Sequence, residues 1–207
     1  MIDASTNTRP MPPSPYVSNP SSAAATTESS AGSSADAPTI RRARADDAAA
    51  LTAFARRAFI DTYISDNRPQ DVHAYVEASF TPDIQRAEIA DPRMAYLLAE
   101  VDGALAGYAQ LRDAPPPGGI AVDGPMEIAR FYVGAAWHGR GVAAALMRAC
   151  DAHARGCGAR SLWLCVWKRN ARAIRFYEKC GFRLVGQMEF TMGEDVQMDH
   201  VMARPVA

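Results

Sequence analysis

Apolar positions change their period several times along this chain, and each change marks an element. Leu51, Phe54, Ala55, Ala58 and Phe59 recur at the spacing of one helix face, with Asp46 or Asp47 ahead of them as cap. A second helix is expected across 72–78 and a short one around 83–89. The period then shortens. Residues 94–101 are extended and apolar, Asp102-Gly103 signals a tight hairpin, and 105–111 returns. Four prolines and three glycines bar 113–125 from helix and central strand alike. Residues 126–133 follow as a strand and 137–141 as a glycine-bearing turn. Val142, Leu146, Met147, Cys150 and Ala154 then form the buried stripe of a helix. Residues 161–167 are apolar on both faces, which predicts a strand in a sheet covered on both sides. Asn170 caps a short helix ended by Gly181, and 182–189 and 196–204 close the chain as strands. With a first short strand at 39–43, the order defines an α/β (α+β) domain over 38–207.

Composition separates the first 37 residues from this domain. Ser, Ala, Pro, Thr and Gly make up 26 of them, and large apolar side chains are nearly absent. Such a segment cannot offset its own ordering entropy, so 1–37 is expected to be a disordered tail. It carries a net charge of −2 of the total −1, which leaves +1 for the 170 residues that follow. A nearly neutral body offers no general field for nucleic acid or an anionic membrane, and neither is an expected partner. No apolar run approaches the roughly 18 residues of a membrane span, and the start lacks the pattern of a secretory signal. Cys150, Cys157, Cys165 and Cys180 form no C-x-x-C pair and have no partnering His spacing. The expectation is therefore reduced thiols, no metal and a cytoplasmic location.

The turn Trp137-His138-Gly139-Arg140-Gly141-Val142-Ala143 is where the chemistry concentrates. Glycines let backbone approach a ligand, and the N–H groups of a helix start then face an anion such as a diphosphate. The plainer alternative is a strand-to-helix turn that needs positive φ. A nucleotide-hydrolase P-loop is excluded, because no Gly-Lys-Ser/Thr follows. Gly139-x-Gly141-x-x-Ala144 also fits a dinucleotide fingerprint. That reading lacks an acid after the next strand, where Trp167-Lys168-Arg169 stands, and only 66 residues follow Gly141.

Coenzyme A is the third candidate. His138-Gly139-Arg140-Gly141-Val142-Ala143 resembles motif A of the GNAT superfamily of N-acetyltransferases, Arg/Gln-x-x-Gly-x-Gly/Ala. Residues 128–133 resemble that family's fourth strand, and Asn170-x-x-Ala173-x-x-Phe176-Tyr177-x-x-x-Gly181-Phe182 its second signature. The resemblance covers 38–207 and implies a mixed, centrally splayed sheet of six to seven strands flanked by helices. It implies acetyl-CoA as cosubstrate, held by Phe131, Tyr132, Val133, His138, Gly139, Arg140, Gly141, Val142, Ala143 and Asn170. His138 departs from the usual Arg or Gln, which implies an altered cofactor affinity.

Acyl transfer to an amine needs a neutral nucleophile, a polarised carbonyl and a protonated leaving thiolate. Freeing an alkyl amine of pKa near 10.4 at neutral pH costs about 4 kcal/mol. The resemblance implies Glu127, eleven residues before His138, as the base; the alternative is a glutamate exposed at a strand edge. It implies Tyr177 as the acid that protonates the departing sulfur, against the alternative of a core tyrosine beside Phe176. It also implies that the carbonyl is met by the N–H groups of Phe131 and Val133, freed by a bulge in the strand.

Residues 190–199 resemble the corresponding stretch of bacterial polyamine (spermidine/spermine) N-acetyltransferases, Phe-x-Met-Gly-acid-x-x-Gln-x-Asp. A polycation favours an acidic pocket, for which Glu127, Asp61, Asp66 and Glu194 are available. The expected partner is thus a small-molecule amine, with a homodimer as a further expectation. The alternatives are a protein N-terminal or amino-acid acetyltransferase, or an acyl-CoA-binding sensor without turnover.

Overall fold

Residues 37–207 are described by the structure, a computed structural model; the expected disordered segment 1–37 lies outside them but for Ala37. Their elements are β1 (Thr39–Arg42), α1 (Ala48–Tyr63), α2 (Pro69–Ser79), α3 (Pro82–Ala90), β2 (Met94–Val101), β3 (Ala104–Arg112) and β4 (Pro125–Val133). Then come α4 (Val142–Gly156), β5 (Ser161–Trp167), α5 (Ala171–Lys179), β6 (Arg183–Met192) and β7 (Asp195–Pro205). The strands form one seven-stranded sheet of order β1-β2-β3-β4-β5-β7-β6, in which only the β4–β5 contact is parallel. The predicted mixed sheet flanked by helices is present.

Local chemistry accounts for the boundaries. Asp102 and Gly103 both take positive φ (52° and 75°), the backbone of a type I′ hairpin between β2 and β3. Pro69 presets the first turn of α2, which therefore begins three residues before the expected 72. The Thr81 hydroxyl accepts the Ile84 N–H at 3.2 Å and starts α3. The expected aspartate cap of α1 is not formed. Asp46 and Asp47 lie in a 3-10 turn instead, and the Asp47 carboxylate is taken by the Arg44 N–H and the Arg41 guanidinium, both at 2.7 Å.

Two apolar layers sandwich the sheet. On one face α4 and α5 place Leu146, Cys150 and Tyr177 against Leu111, Phe131, Leu164 and Val166. On the other, α1 and α2 place Phe59, Tyr63 and Val76 against Leu98, Tyr108, Tyr132 and Trp167. The expected second cover of β5 is partly a loop: Ala114, Ile120 and Val122 pack on Trp163 and Cys165, and Trp163 donates to the Ala114 carbonyl at 2.8 Å.

An extra residue in β4 sets its faces. Gln110 pairs with Arg130 but Leu111 pairs with Ile128, so Ala129 is a bulge. Ahead of it Met126 and Ile128 face α4; beyond it Phe131 and Val133 do, and Arg130 and Tyr132 turn to the α1 side. There the 1 % exposed Arg130 meets Glu88 of α3 at 3.0 Å, the Tyr96 hydroxyl at 2.8 Å and the face of Phe80 at 4.8 Å. Tyr96, Tyr108 and Tyr132 stack across three strands, with centroids 6.0 and 5.4 Å apart. This cluster fastens α3 to the sheet.

Candidate active site

The site begins where the sheet parts. β4 and β5 pair only over Pro125–Glu127 and Ser161–Trp163, while β3 follows β4 to Val133 and β7 follows β5 to Trp167. The two strands therefore diverge toward their C-terminal ends. Gly134 N–H donates to Ala106 of β3 at 2.9 Å. Extended backbone alternates its donors, so the N–H groups of Phe131 and Val133 point the other way, into the gap. The bulge expected there lies two residues before Phe131 and disturbs the β3 side; divergence from β5, not the bulge, opens the gap.

A cavity of about 550 Å³ occupies the mouth of this gap, a volume suited to a small-molecule site. Its walls include Asp61 and Thr62 of α1, Tyr132 and Val133 of β4, Trp167 of β5, and Asn170. Arg169 and Arg172 line it too, and Arg169 lies over the Trp167 ring at 5.5 Å.

Beside it the chain makes the predicted glycine turn. Gly139 and Gly141 have φ of 77° and 80°, and a Cβ on either would meet nothing within 4 Å, leaving open space over the backbone. Gly141 caps α4 without a side-chain bond, so the N–H groups of the first turn face outward at the positive end of a 15-residue helix. His138 Nε2 donates to the Val133 carbonyl at 2.9 Å, tying the turn to the end of β4. Burial and the nearby Arg172 charge pull the imidazole below its usual pKa, against the Val133 bond. Arg140 stacks on Trp137 at 5.3 Å.

The second signature meets the gap from α5. Asn170 Oδ1 accepts the Ala173 N–H at 3.0 Å and caps the helix, while its buried Nδ2 has no hydrogen-bond partner among the described residues. Tyr177 is fully buried, edge-on to Phe131 at 6.1 Å and to Phe182 at 5.7 Å. It packs on the α4 side against Phe131, whose strand borders the gap.

The proposed acids separate. Asp61 and Asp66 line the cavity and are exposed. Glu194, in the β6–β7 turn, pairs with Arg68 at 2.6 Å. Glu127 is 6 % exposed, not at an open strand edge, and its carboxylate is paired with Arg112 at the closed end of the divergence. Six residues, about 20 Å of strand, separate it from Val133. Burial pushes its pKa up and Arg112 draws it down. Asp199 and Tyr63 escaped the sequence reading of the site. The signal was an acid in the strand alternation of Gln197, Asp199, Val201 and Ala203, whose last two members are core.

All four cysteines are free; Cys150 and Cys165 are buried, Cys180 is half-buried and Cys157, at the end of α4, is exposed. Among the described residues no group of three His, Cys, Asp or Glu is placed to hold a metal, and no helix is long and apolar enough to cross a membrane.

Residues 56–182 match the model of the acetyltransferase (GNAT) family, and the chain belongs to that family. An uncharacterised N-acetyltransferase of Mycobacterium tuberculosis is 35% identical over 158 residues, 76% of this chain and 97% of the relative. A spermine/spermidine N(1)-acetyltransferase of Bacillus subtilis is 25% identical over 72% of this chain and 94% of its own length. The fold is shared with the PaiA N-acetyltransferase of Thermoplasma acidophilum, crystallised with coenzyme A (TM-score 0.66, 20% identity, 82% of this chain and 99% of that one).

Proposed function

We propose that this chain moves an acetyl group from acetyl-CoA to the primary amine of a small molecule, a polyamine foremost, by direct attack of the amine on the thioester. The observation that supports this reading is the divergence of β4 from β5, with Asn170 lining the cavity at its mouth, the glycine turn tied to the end of β4 through His138, and Tyr177 packed against Phe131. The residues present fit coenzyme A. The turn and the first amides of α4 suit a diphosphate, Arg169 and Arg172 add positive charge, and the Asn170 Nδ2 donor suits an amide carbonyl of the pantetheine arm.

Bound there, the thioester supplies an activated acetyl group. The N–H groups of Phe131 and Val133 polarise its carbonyl, and Tyr177, through its phenolic O–H, gives its proton to the departing sulfur. Burial raises the Cys150 and Cys165 thiols far above their usual range, so neither supplies a nucleophilic thiolate. Cys157 lies at the far end of α4, about 22 Å from the turn. Glu127 is the family-suggested base, and its pairing with Arg112 makes Glu127→Gln the direct check on that role.

A polyamine acceptor is supported by the Bacillus relative and by Asp61 and Asp66 at the cavity. The test is thiol release from acetyl-CoA across a panel of polyamines, monoamines and peptides, with mass spectrometry of the products. Acetylated spermidine is the expected product. Acetylated peptide N-termini would move the acceptor to proteins, and coenzyme A binding without thiol release would make the chain a sensor.

A further inference from the structure

Asp199 is fully buried in β7, and neither carboxylate oxygen has a hydrogen-bond partner among the described residues. An ionised carboxylate in that state is costly, and a fold keeps one only where something compensates it. Its surroundings state what that is. Trp167 pairs with Asp199 across β5–β7 and Met188 across β6–β7, and opposed residues share a face of the sheet. Trp167 belongs to the α1 side, where Tyr63 lies 5.8 Å from it, ring to ring, and Tyr75 lies 5.9 Å from Phe190. A carboxylate behind electron-rich rings is a receptor for an alkylammonium ion, through charge pairing and cation–π attraction together.

The place is also right for chemistry. Trp167 and Thr62, next to Tyr63 in α1, line the cavity, so Asp199 sits one layer behind its wall. Burial first, then Asp199, Tyr75 and Tyr177, push the Tyr63 phenol well above its usual pKa.

We propose that Asp199 is the acceptor-binding carboxylate of this enzyme: it receives the ammonium group of the amine beside Trp167 and Tyr63 and takes its proton as the nitrogen attacks. This rests on the acetyltransferase reading above and assigns the base to Asp199 in place of Glu127. The ammonium gives one proton to Asp199, and the freed lone pair forms the N–C bond to the thioester carbonyl carbon. The C–S bond breaks, and the thiolate takes the Tyr177 proton. The second nitrogen proton restores the phenol through solvent, and Asp199 releases its own proton to solvent with the product. Burial holds the Asp199 carboxyl up at about 7, close to the pH at which a base must cycle. The titratable groups around it are Tyr63 of α1, Tyr75 of α2 through Tyr63, and Cys165 of β5, which also feels Glu127 and Arg112. Asp199 does not itself line the cavity, so for the amine to reach it the Trp167 wall must give way.

The test uses the full chain, with spermidine and butylamine as probes, and compares Asp199→Asn, Asp199→Glu and Glu127→Gln. For Asp199→Asn, kcat/KM for the amine falls about a hundredfold and its acidic limb near pH 7 disappears, while coenzyme A affinity is unchanged. Asp199→Glu regains part of the rate, and Glu127→Gln keeps the limb. In calorimetry with coenzyme A present, spermidine binds the wild type at least about tenfold more tightly than Asp199→Asn. Equal spermidine binding by both, or an acidic limb lost only in Glu127→Gln, overturns the assignment; so does a wild type that binds neither probe. A wild type that binds spermidine through Asp199 but releases no thiol leaves the amine site standing and overturns acetyl transfer instead.

Discussion

Tyr177 and Tyr63 pack on opposite faces of the sheet. The first is carried by α5 among Phe131 and Phe182, the second ends α1 beside Trp167, and the phenol of one perturbs the phenol of the other. In the mechanism proposed above Tyr177 is the proton donor.

Tyr177→Phe removes that donor and keeps the ring packing. The expected result is a loss of about 10²- to 10³-fold in kcat. Coenzyme A affinity by calorimetry and Tm should change little. A variant with full kcat would remove Tyr177 from the chemistry.

Gly141→Ala separates backbone from space. A Cβ there meets nothing within 4 Å, but φ is 80°, so the cost is conformational, about 1–2 kcal/mol. The turn relaxes away from this conformation, KM for acetyl-CoA rises about tenfold, in line with that energy, and KM for the amine stays constant. Steady-state kinetics in both substrates distinguish this from general unfolding.

Glu88→Ala strands the buried Arg130 guanidinium, which Glu88 meets at 3.0 Å. Leaving such a charge uncompensated costs about 3–5 kcal/mol. Chemical denaturation is expected to lose that much stability. A loss below about 1 kcal/mol would mean that Tyr96 and water suffice.

Asp199 makes stability depend on pH. Its carboxyl is raised from 3.8 to about 7 in the folded chain by burial, so the native state holds the proton more tightly. Its contribution is greatest below 3.8 and is lost as pH rises through about 7. Asp199→Asn lacks this loss. The variant should match the wild type near pH 4 and exceed it at pH 8, by at most about 4 kcal/mol. Melts at the two pH values read the difference.

Much of this was legible because local rules decide it. Asp102-Gly103 made its hairpin, the glycines at 139 and 141 took positive φ, and Asn170 capped α5, each by chemistry within four residues. The parts that were not legible are set by distant partners. Asp47 looked like a helix cap, but Arg41 and Arg44 claim its carboxylate. Glu127 looked available, but Arg112, fifteen residues back, is its neighbour once β3 pairs with β4. Asp199 acquires its meaning only when β5 and β6 flank it. The Ala129 bulge left a trace in the apolar positions 126, 128, 131 and 133, whose parity changes once.

The parallel contact between β4 and β5 spans three residue pairs, Pro125–Glu127 against Ser161–Trp163. Mechanically the protein is two half-sheets sutured at one end, with the bridging amides missing at the other. A molecule lying lengthwise in that opening completes the seam and acts as a splint between arms. Amide exchange should then slow in β4 and β5 together when coenzyme A binds, although the outer strands β1 and β6 never touch it.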